Sequence, residues 1–381
     1  MGLWARRFTG AMAGLCQQKV VSPVPYFPPL PGFARYRRFR NTDRHSQYRD
    51  IDIFYPRFIL GPGRSLYNLE AAFYRLGVTN TVKRLHTDFQ FNIIHAHFSY
   101  PDGVVAMWLS RRYRVPYLIT EHALWTNWMG NNSFIRGLAV KAVNCSAYTI
   151  AATPALKDSI SHFTKQSDNI KIIPNGVDAE EFSLSDNIRK AGTCRLLFVG
   201  FINHNKGVDI LLHALSNLVR WNPDIHLTLI GDSLYAASDI EKNHVYHLAG
   251  KLGLESHLTF AGLKQPREVA QYMSESDVLI LPSRRETFGS VIIEALACGI
   301  PVVATRCGGP EYILNEEVGL LVPKEDPEAL ANGIRHVLEH REKYKPETLH
   351  SYATKLYSWD IIARENYTLY EQALMANSHR K

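Results

Sequence analysis

The residues with the most chemical promise lie between Leu279 and Glu311, in LILPSRRETFGSVIIEALACGIPVVATRCGGPE. An apolar run ends at Leu281–Pro282. A loop follows with Glu286 and the turn Phe288-Gly289-Ser290, and a helical pattern carrying Glu294 begins near Ser290. A helix N-terminus presents unbonded backbone N–H groups and the positive end of the helix dipole, so it accepts a phosphate or diphosphate, and Gly289 lets the backbone approach closely. Glu294 lies one turn along from Ser290 on the same helical face, where it suits ribose hydroxyls beside the phosphates. Glu286, ahead of the helix, suits hydroxyls of a group beyond them. The competing reading is a capped helix with a solvated glutamate.

Two further segments carry weaker signals. In RLLFVGFINHNKGVDILLHAL, residues 195–215, a strand pattern ends at Val199-Gly200 and a loop carries Lys206-Gly207 into a helix. A lysine there can reach over strand ends to a diphosphate and stabilise its departure; alone, such a lysine is more often a solvated charge. Pro174-Asn175-Gly176-Val177-Asp178 follows another strand pattern and by itself is only a turn.

Rigid elements must hold these loops. Strand patterns lie at 19–22, 51–55, 92–95, 117–121, 148–151 and 169–172, then at 195–199, 225–230, 257–261, 277–281, 301–304 and 319–322. Most are short, apolar on both faces and followed by helical periodicity, which predicts parallel strands with crossover helices. They exceed one doubly wound sheet, so an α/β chain of two domains is expected, joined in the polar stretch 179–193. The chain opens with a helical pattern, Leu3 to Leu15, where a doubly wound domain usually opens with a strand and a tight turn. The first strand and its glycine-bearing turn are therefore expected to be missing from this sequence. The opening does not read as a secretory signal.

Charge is uneven. Residues 1–188 carry 22 Lys and Arg against 13 Asp and Glu, and the remainder carries 21 against 23, giving the net +7 of the whole chain. A basic first half suits an anionic partner such as a membrane surface or a lipid-linked phosphate; scattered surface arginines are the plainer alternative. The densest cluster, Arg35, Arg37, Arg38 and Arg40 among Phe33, Tyr36 and Phe39, has the mixture of a membrane interface and matches no RNA-binding signature. Five dispersed cysteines without a C-x-x-C pair fit a reducing compartment, and no apolar run reaches membrane-spanning length.

Taken together, PNGVD at 174–178, VGFINHNKG at 199–207, Glu286 with Glu294 eight positions on, and the following GIPVVAT and GGPEYI resemble the retaining GT-B glycosyltransferases of family 4. The likeness runs from about residue 19 to the segment with Trp359. Through VSPVPYFPPLP and HAHFSYPDG it is similar to the bacterial exopolysaccharide and cell-surface polysaccharide members. The resemblance implies two Rossmann-like doubly wound domains facing across a cleft. These would be an acceptor-side domain over 1–183, completed by the C-terminal helix 359–381, and a donor-binding domain over 184–358.

The resemblance also implies roles. Glu286 would hold donor-sugar hydroxyls, Glu294 the nucleotide ribose, and Lys206 the leaving diphosphate, with Gly200 and the amides of Phe288, Gly289 and Ser290 facing the phosphates. His122, in LITEHALW, would contact the donor sugar near its reacting carbon, although a histidine at a strand end is also commonly a packing residue. His97 and Asp102 would line the acceptor side or order their loop. Glu121 and His122 are strand neighbours and cannot face one substrate.

Three departures from the family pattern stand out. Phe201 occupies the position where an arginine commonly follows V-G, leaving one diphosphate contact missing unless His204 or Arg284 supplies it. The first glycine loop is not in the chain. Gly262-Leu263-Lys264-Gln265 offers no acidic side chain to read guanine, which favours a uridine nucleotide. The implied reaction is transfer of a sugar, with retention, from a nucleotide-diphosphate sugar to a hydroxyl of a glycan or lipid-linked acceptor. It would need no metal or other cofactor, and would proceed in the cytoplasm, at the inner face of the membrane. Asp50-Ile51-Asp52 looks like the D-x-D metal site of a different glycosyltransferase fold and is set aside, because nothing else here fits that fold. A sugar-nucleotide-binding protein impaired in turnover is the alternative. The C-terminal helical pattern, Trp359 to Ala376, is expected to cross back onto the first domain.

Overall fold

Short runs of valine, isoleucine and leucine, apolar on both sides, are stable only as strands covered by helices on both faces. The computed structural model describes residues 3–26, 39, 41–61, 66–125, 132–164, 167–185, 193–232 and 239–378. Each of the strand patterns is a strand. The chain divides into two compact units: Met1–Ile173 with Ile362–Lys381, and Pro174–Ile361. The basic cluster at Arg35, Arg37, Arg38 and Arg40 lies outside the described residues.

The first unit opens with helix α1 (Leu3–Met12), then strands β1 (Val20–Val21), β2 (Val24–Tyr26), β3 (His45–Tyr48), β4 (Ile51–Phe54) and β5 (Arg57–Ile59). β1 pairs parallel to β4, β4 pairs antiparallel to β3, and β2 pairs parallel to β5. Asp52, in β4, is bonded by Lys19, His45 and Gln47, and these partners hold its carboxyl below the usual range. A second sheet follows, wholly parallel and in sequential order: β6 (Ile94–His97), β7 (Tyr117–Glu121), β8 (Tyr148–Ala151) and β9 (Ile170–Ile172). Helix α2 (Glu70–Asp88) leads into β6, and α3 (Val104–Tyr113), α4 (Ser133–Cys145) and α5 (Pro154–Ser161) connect these strands. Ile119 is fully buried, packed in one core with Val104 and Met107 of α3 and Ala139 and Val143 of α4.

The second unit is one six-stranded parallel sheet. Its strands are β10 (Cys194–Val199), β11 (Ile225–Ile230), β12 (Leu258–Gly262), β13 (Val278–Leu281), β14 (Val302–Thr305) and β15 (Gly319–Val322). Its helices are α6 (Val208–Trp221), α7 (Asp239–Lys251), α8 (Pro266–Ser274), α9 (Ser290–Ala297), α10 (Pro310–Ile313), α11 (Pro327–Glu339) and α12 (Pro346–Tyr357). The spatial order β12-β11-β10-β13-β14-β15 reverses between β10 and β13. At such a reversal the loops leaving the two strands diverge and open a crevice at their C-terminal ends, where ligands bind in folds of this kind. Both units are thus Rossmann-like. α13 (Trp359–Ser378) ends the described chain. From Ile362 it groups with the first unit, and its Tyr370 hydroxyl lies 2.5 Å from His95 Nδ1.

Among the described residues no helix is long and apolar enough to cross a membrane.

Candidate functional site

In the second unit, the crevice between β10 and β13 receives two loops. The first, after β10, is pinned at both ends by close backbone approaches. A Cβ on Gly207 would lie 2.1 Å from the Pro282 carbonyl oxygen, and one on Gly231 would lie 1.9 Å from that of Gly200. Gly207 also holds φ at +65°, so only glycine fits there. The Asn203 side chain accepts the Lys206 N–H at 3.1 Å and closes the turn. Lys206 is thereby aimed across the crevice, and its Nζ lies 2.5 Å from Glu286 Oε2.

Glu286 is held as firmly. Its N–H donates to the Cys307 carbonyl at 3.3 Å and its own carbonyl accepts the Gly309 N–H at 3.0 Å, a small bridge to the loop after β14. The Thr287 N–H reaches its other carboxylate oxygen at 3.3 Å. The two side chains are 22% and 14% exposed, so the pair is shielded yet reachable.

The second loop ends at Gly289, with φ +92°, and α9 then starts with no side chain capping its first turn. Its leading amides are available to an anion. The Phe288 ring is 2% exposed and packs near Tyr357, so Phe288 can offer a ligand its amide and not its ring. Ser290 Oγ accepts a hydrogen bond from Asn175 Nδ2 at 3.3 Å. That bond gives PNGVD a place beyond that of a turn. A Cβ on Gly176 would sit 2.4 Å from the Trp359 ring, and the Val177 N–H bonds the Tyr357 carbonyl at 2.7 Å. The Asn175 contact spans 115 residues, and no local pattern announces it. Glu294 lies on α9 one turn beyond Ser290, partly buried.

Arg284 does not stand in for the missing arginine. Its guanidinium is bidentate to Asp209, at 2.9 and 2.7 Å, and also bonds Glu325 and the His204 carbonyl. The hydrogen bonds it donates to Asp209 lead in raising the guanidinium above its ordinary value. It braces the lysine loop instead of facing the crevice. Phe201 is 41% exposed.

In the first unit, the ends of β6 and β7 bring His97 and His122 together, with Nδ1 and Nε2 3.3 Å apart. His97 stacks on His95 at 4.7 Å, and His95 bonds Thr120 Oγ1 at 2.7 Å. Trp4 of α1 stands edge-on to His122 at 4.5 Å and to His97 at 5.0 Å. Burial pushes His95 down to about 3 and His122 to about 4. His97 falls well below its ordinary value, by burial first and then by its two neighbours. At neutral pH the three rings are uncharged and act through hydrogen bonds. Asp102 is not joined to this cluster. It accepts the Tyr74 hydroxyl at 2.6 Å, and burial pushes its carboxyl up to about 7 against that bond.

Glu121, fully buried, points the other way. It accepts the N–H groups of Ser99, His122 and Ala123, the Ser99 hydroxyl and the Trp125 indole N–H. The separation of Glu121 from His122 follows from strand alternation.

Two family models match the chain: Glycosyltransferase Family 4 over residues 36–181 and Glycosyl transferases group 1 over residues 181–355. The chain belongs to the GT-B glycosyltransferases of family 4. An uncharacterized glycosyltransferase of Methanocaldococcus jannaschii is 27% identical over 374 residues, 93% of this chain and 98% of that one. Sucrose-phosphate synthase from Thermosynechococcus elongatus superimposes with a TM-score of 0.82 at 23% identity, covering 98% of this chain and 93% of its own. Anabaena HepE in complex with UDP and glucose gives a TM-score of 0.74 at 21% identity, covering 97% and 95%.

Proposed function

We propose that this glycosyltransferase uses a UDP-sugar and transfers the sugar, with retention of configuration, to a hydroxyl of a glycan or lipid-linked acceptor in surface polysaccharide synthesis. The observation that carries this is the Lys206–Glu286 pair, set beside the uncapped α9 terminus at the strand-order reversal. The bond from the anomeric carbon to the diphosphate breaks with its electron pair moving to the phosphate oxygen. The acceptor oxygen forms the new bond on the same face, and its proton passes to the departing diphosphate. Lys206 and the amides of Phe288, Gly289 and Ser290 take up the developing negative charge, so the scheme calls for no metal. Glu286 orients sugar hydroxyls and Glu294 the ribose. In the first unit, His97, His122 and Asp102 are proposed to serve the reacting sugar and the acceptor, at the cytoplasmic face of the membrane. UDP is favoured because the 262–265 segment presents no carboxylate and Lys264 pairs with Glu268; HepE, of like fold, has been seen with UDP.

The test is release of UDP from UDP-sugars by the purified chain, with and without glycan acceptors. Release that disappears in Lys206→Ala and Glu286→Ala supports the reading. A second reading, a nucleotide-sugar binder without turnover, draws on Phe201 and on the commitment of Arg284 to Asp209. It is favoured if UDP binds and no donor is consumed.

A further inference from the structure

Phe98 follows β6 with φ +78° and ψ +141°. Glycine enters that backbone region freely, and a bulky aromatic residue almost never does. The conformation is imposed from both sides. The Phe98 N–H donates to the Thr120 carbonyl at 2.8 Å, and its own carbonyl accepts the Gly103 N–H at 3.0 Å. The next residue, Ser99, is fully buried and gives its N–H and its hydroxyl to Glu121. A Cβ on Gly103 would lie 3.2 Å from the Phe98 carbonyl oxygen, so the turn has no slack. None of these bonds uses the side chain at position 98. A glycine there would keep them all without the strain. Strain of this kind persists where the side chain is used, and burial is not the use. The Phe98 ring is 40% exposed, whereas Tyr100 in the same turn is 4% exposed and sits in the core. The ring stands 5.0 Å from that of His122, tilted by 59°. Both line a cavity of about 810 Å³ in the first unit, together with His97.

We propose that Phe98 is the platform that receives the acceptor, its ring lying against the C–H face of a pyranose. A pyranose carries its hydroxyls around the rim and shows C–H groups above and below. The negative face of an aromatic ring attracts such groups. An apolar surface beside a few placed polar groups is the usual make-up of a small-molecule site. Here the polar groups are the imidazoles of His122 and His97, which burial keeps uncharged at neutral pH and which can bond rim hydroxyls. An acyclic polyol or a bare phosphate has no C–H face to offer, so the platform selects an acceptor that presents a sugar ring. The inference rests on the function proposed above. There the second unit serves the diphosphate and ribose and His122 the reacting sugar, so a ring flanking His122 in the first unit falls to the acceptor.

Thermal melts and saturation-transfer NMR on the purified chain with UDP test this. Phe98→Gly is expected to melt at or above the wild-type Tm, because the strain goes and the main-chain bonds stay. It should nevertheless bind methyl glucoside, galactoside or mannoside, whichever the wild type takes, about tenfold more weakly. Phe98→Tyr should keep the wild-type affinity, and the protons saturated in the wild type should be C–H protons of one sugar face. Affinity for UDP-glucose should fall less than affinity for the methyl glycoside. A lower Tm for Phe98→Gly overturns the proposal, since the ring would then be holding the turn. So does methyl-glycoside binding that is absent or unchanged, and so does a larger loss for UDP-glucose, which assigns the ring to the donor. Equal weakening toward n-octanol would make Phe98 a lipid contact and overturn it as well. A wild type that binds a methyl glycoside through Phe98 yet releases no UDP from UDP-sugars supports the platform and counts against the turnover proposed above.

Discussion

The Lys206 ammonium rests 2.5 Å from the Glu286 carboxylate, so before any donor arrives its charge is already balanced. On the function proposed above, a diphosphate would share Lys206 with Glu286, and the sugar's hydroxyls would satisfy the carboxylate in exchange. Lys206→Ala is expected to lower kcat for UDP-sugar consumption by about 10²–10³-fold, the scale of losing a leaving-group contact. Glu286→Gln is expected to lower turnover while UDP itself binds as well as before or better, because the competing carboxylate is gone. Titration calorimetry with UDP beside a UDP-release assay separates the two effects. Weaker UDP binding by Glu286→Gln would refute this division of labour.

Gly207 has a left-handed backbone, and a Cβ added there would lie 2.1 Å from the Pro282 carbonyl oxygen. Gly207→Ala should therefore cost at least about 2 kcal/mol and lower Tm by about 5 °C. It should also impair donor binding by shifting the lysine loop. A thermal melt of the variant with the wild-type Tm would contradict this.

Arg284 ties the lysine loop to the loops after β13 and β15 through Asp209 and Glu325. Lysine cannot reproduce a two-pronged grip on a carboxylate. Arg284→Lys is expected to lose about 1–3 kcal/mol, most of the loss shown by Arg284→Ala. Measured denaturation midpoints for the two variants should nearly coincide.

The buried histidines give a signed pH dependence. Unfolded, they take protons near pH 6.5; folded, His122 does so at about 4 and His95 at about 3. The unfolded chain binds more protons in between. Their contribution is full above pH 6.5 and drains as pH falls toward the folded values, at up to about 1.4 kcal/mol per unit for each ring. Asp102, raised to about 7, works the opposite way: its contribution is full below pH 4 and is lost as pH rises through 7. Tm should fall between pH 7 and pH 5. Asp102→Asn should raise Tm more at pH 8 than at pH 5, and an equal shift at both would show that the carboxyl is not desolvated.

Much of this arrangement could be read from residue order because it is local. VLIL and VVAT are buried on both faces, and β13 and β14 form there. The helix after Phe288-Gly289 starts at Ser290, where glycine supplies the positive φ. Other strands were hidden by their composition. HSQY is polar and pairs at a sheet edge, VPY contains a proline, and RFI directly follows one. Glu286 and Lys206 were legible as candidates, but their meeting depends on strand order, which sequence spacing does not encode. Arg284 looked available because its partners, Asp209 and Glu325, lie far along the chain in opposite directions. The edge-on contact of Trp4 with His122 was equally invisible, since nothing in the opening helical pattern indicates which strand ends it covers.

The many-handed grip of Glu121 has an engineering corollary. The bend that presents residue 122 is secured by a neighbour's carboxylate taking the amides of residues 122 and 123, bonds separate from the imidazole's own contacts with His97 and Trp4. Location and reactivity are therefore separable at this spot. His122→Cys or His122→Asn would deliver a different functional group to the same address, making it a convenient port for installing new reactivity without rebuilding the scaffold.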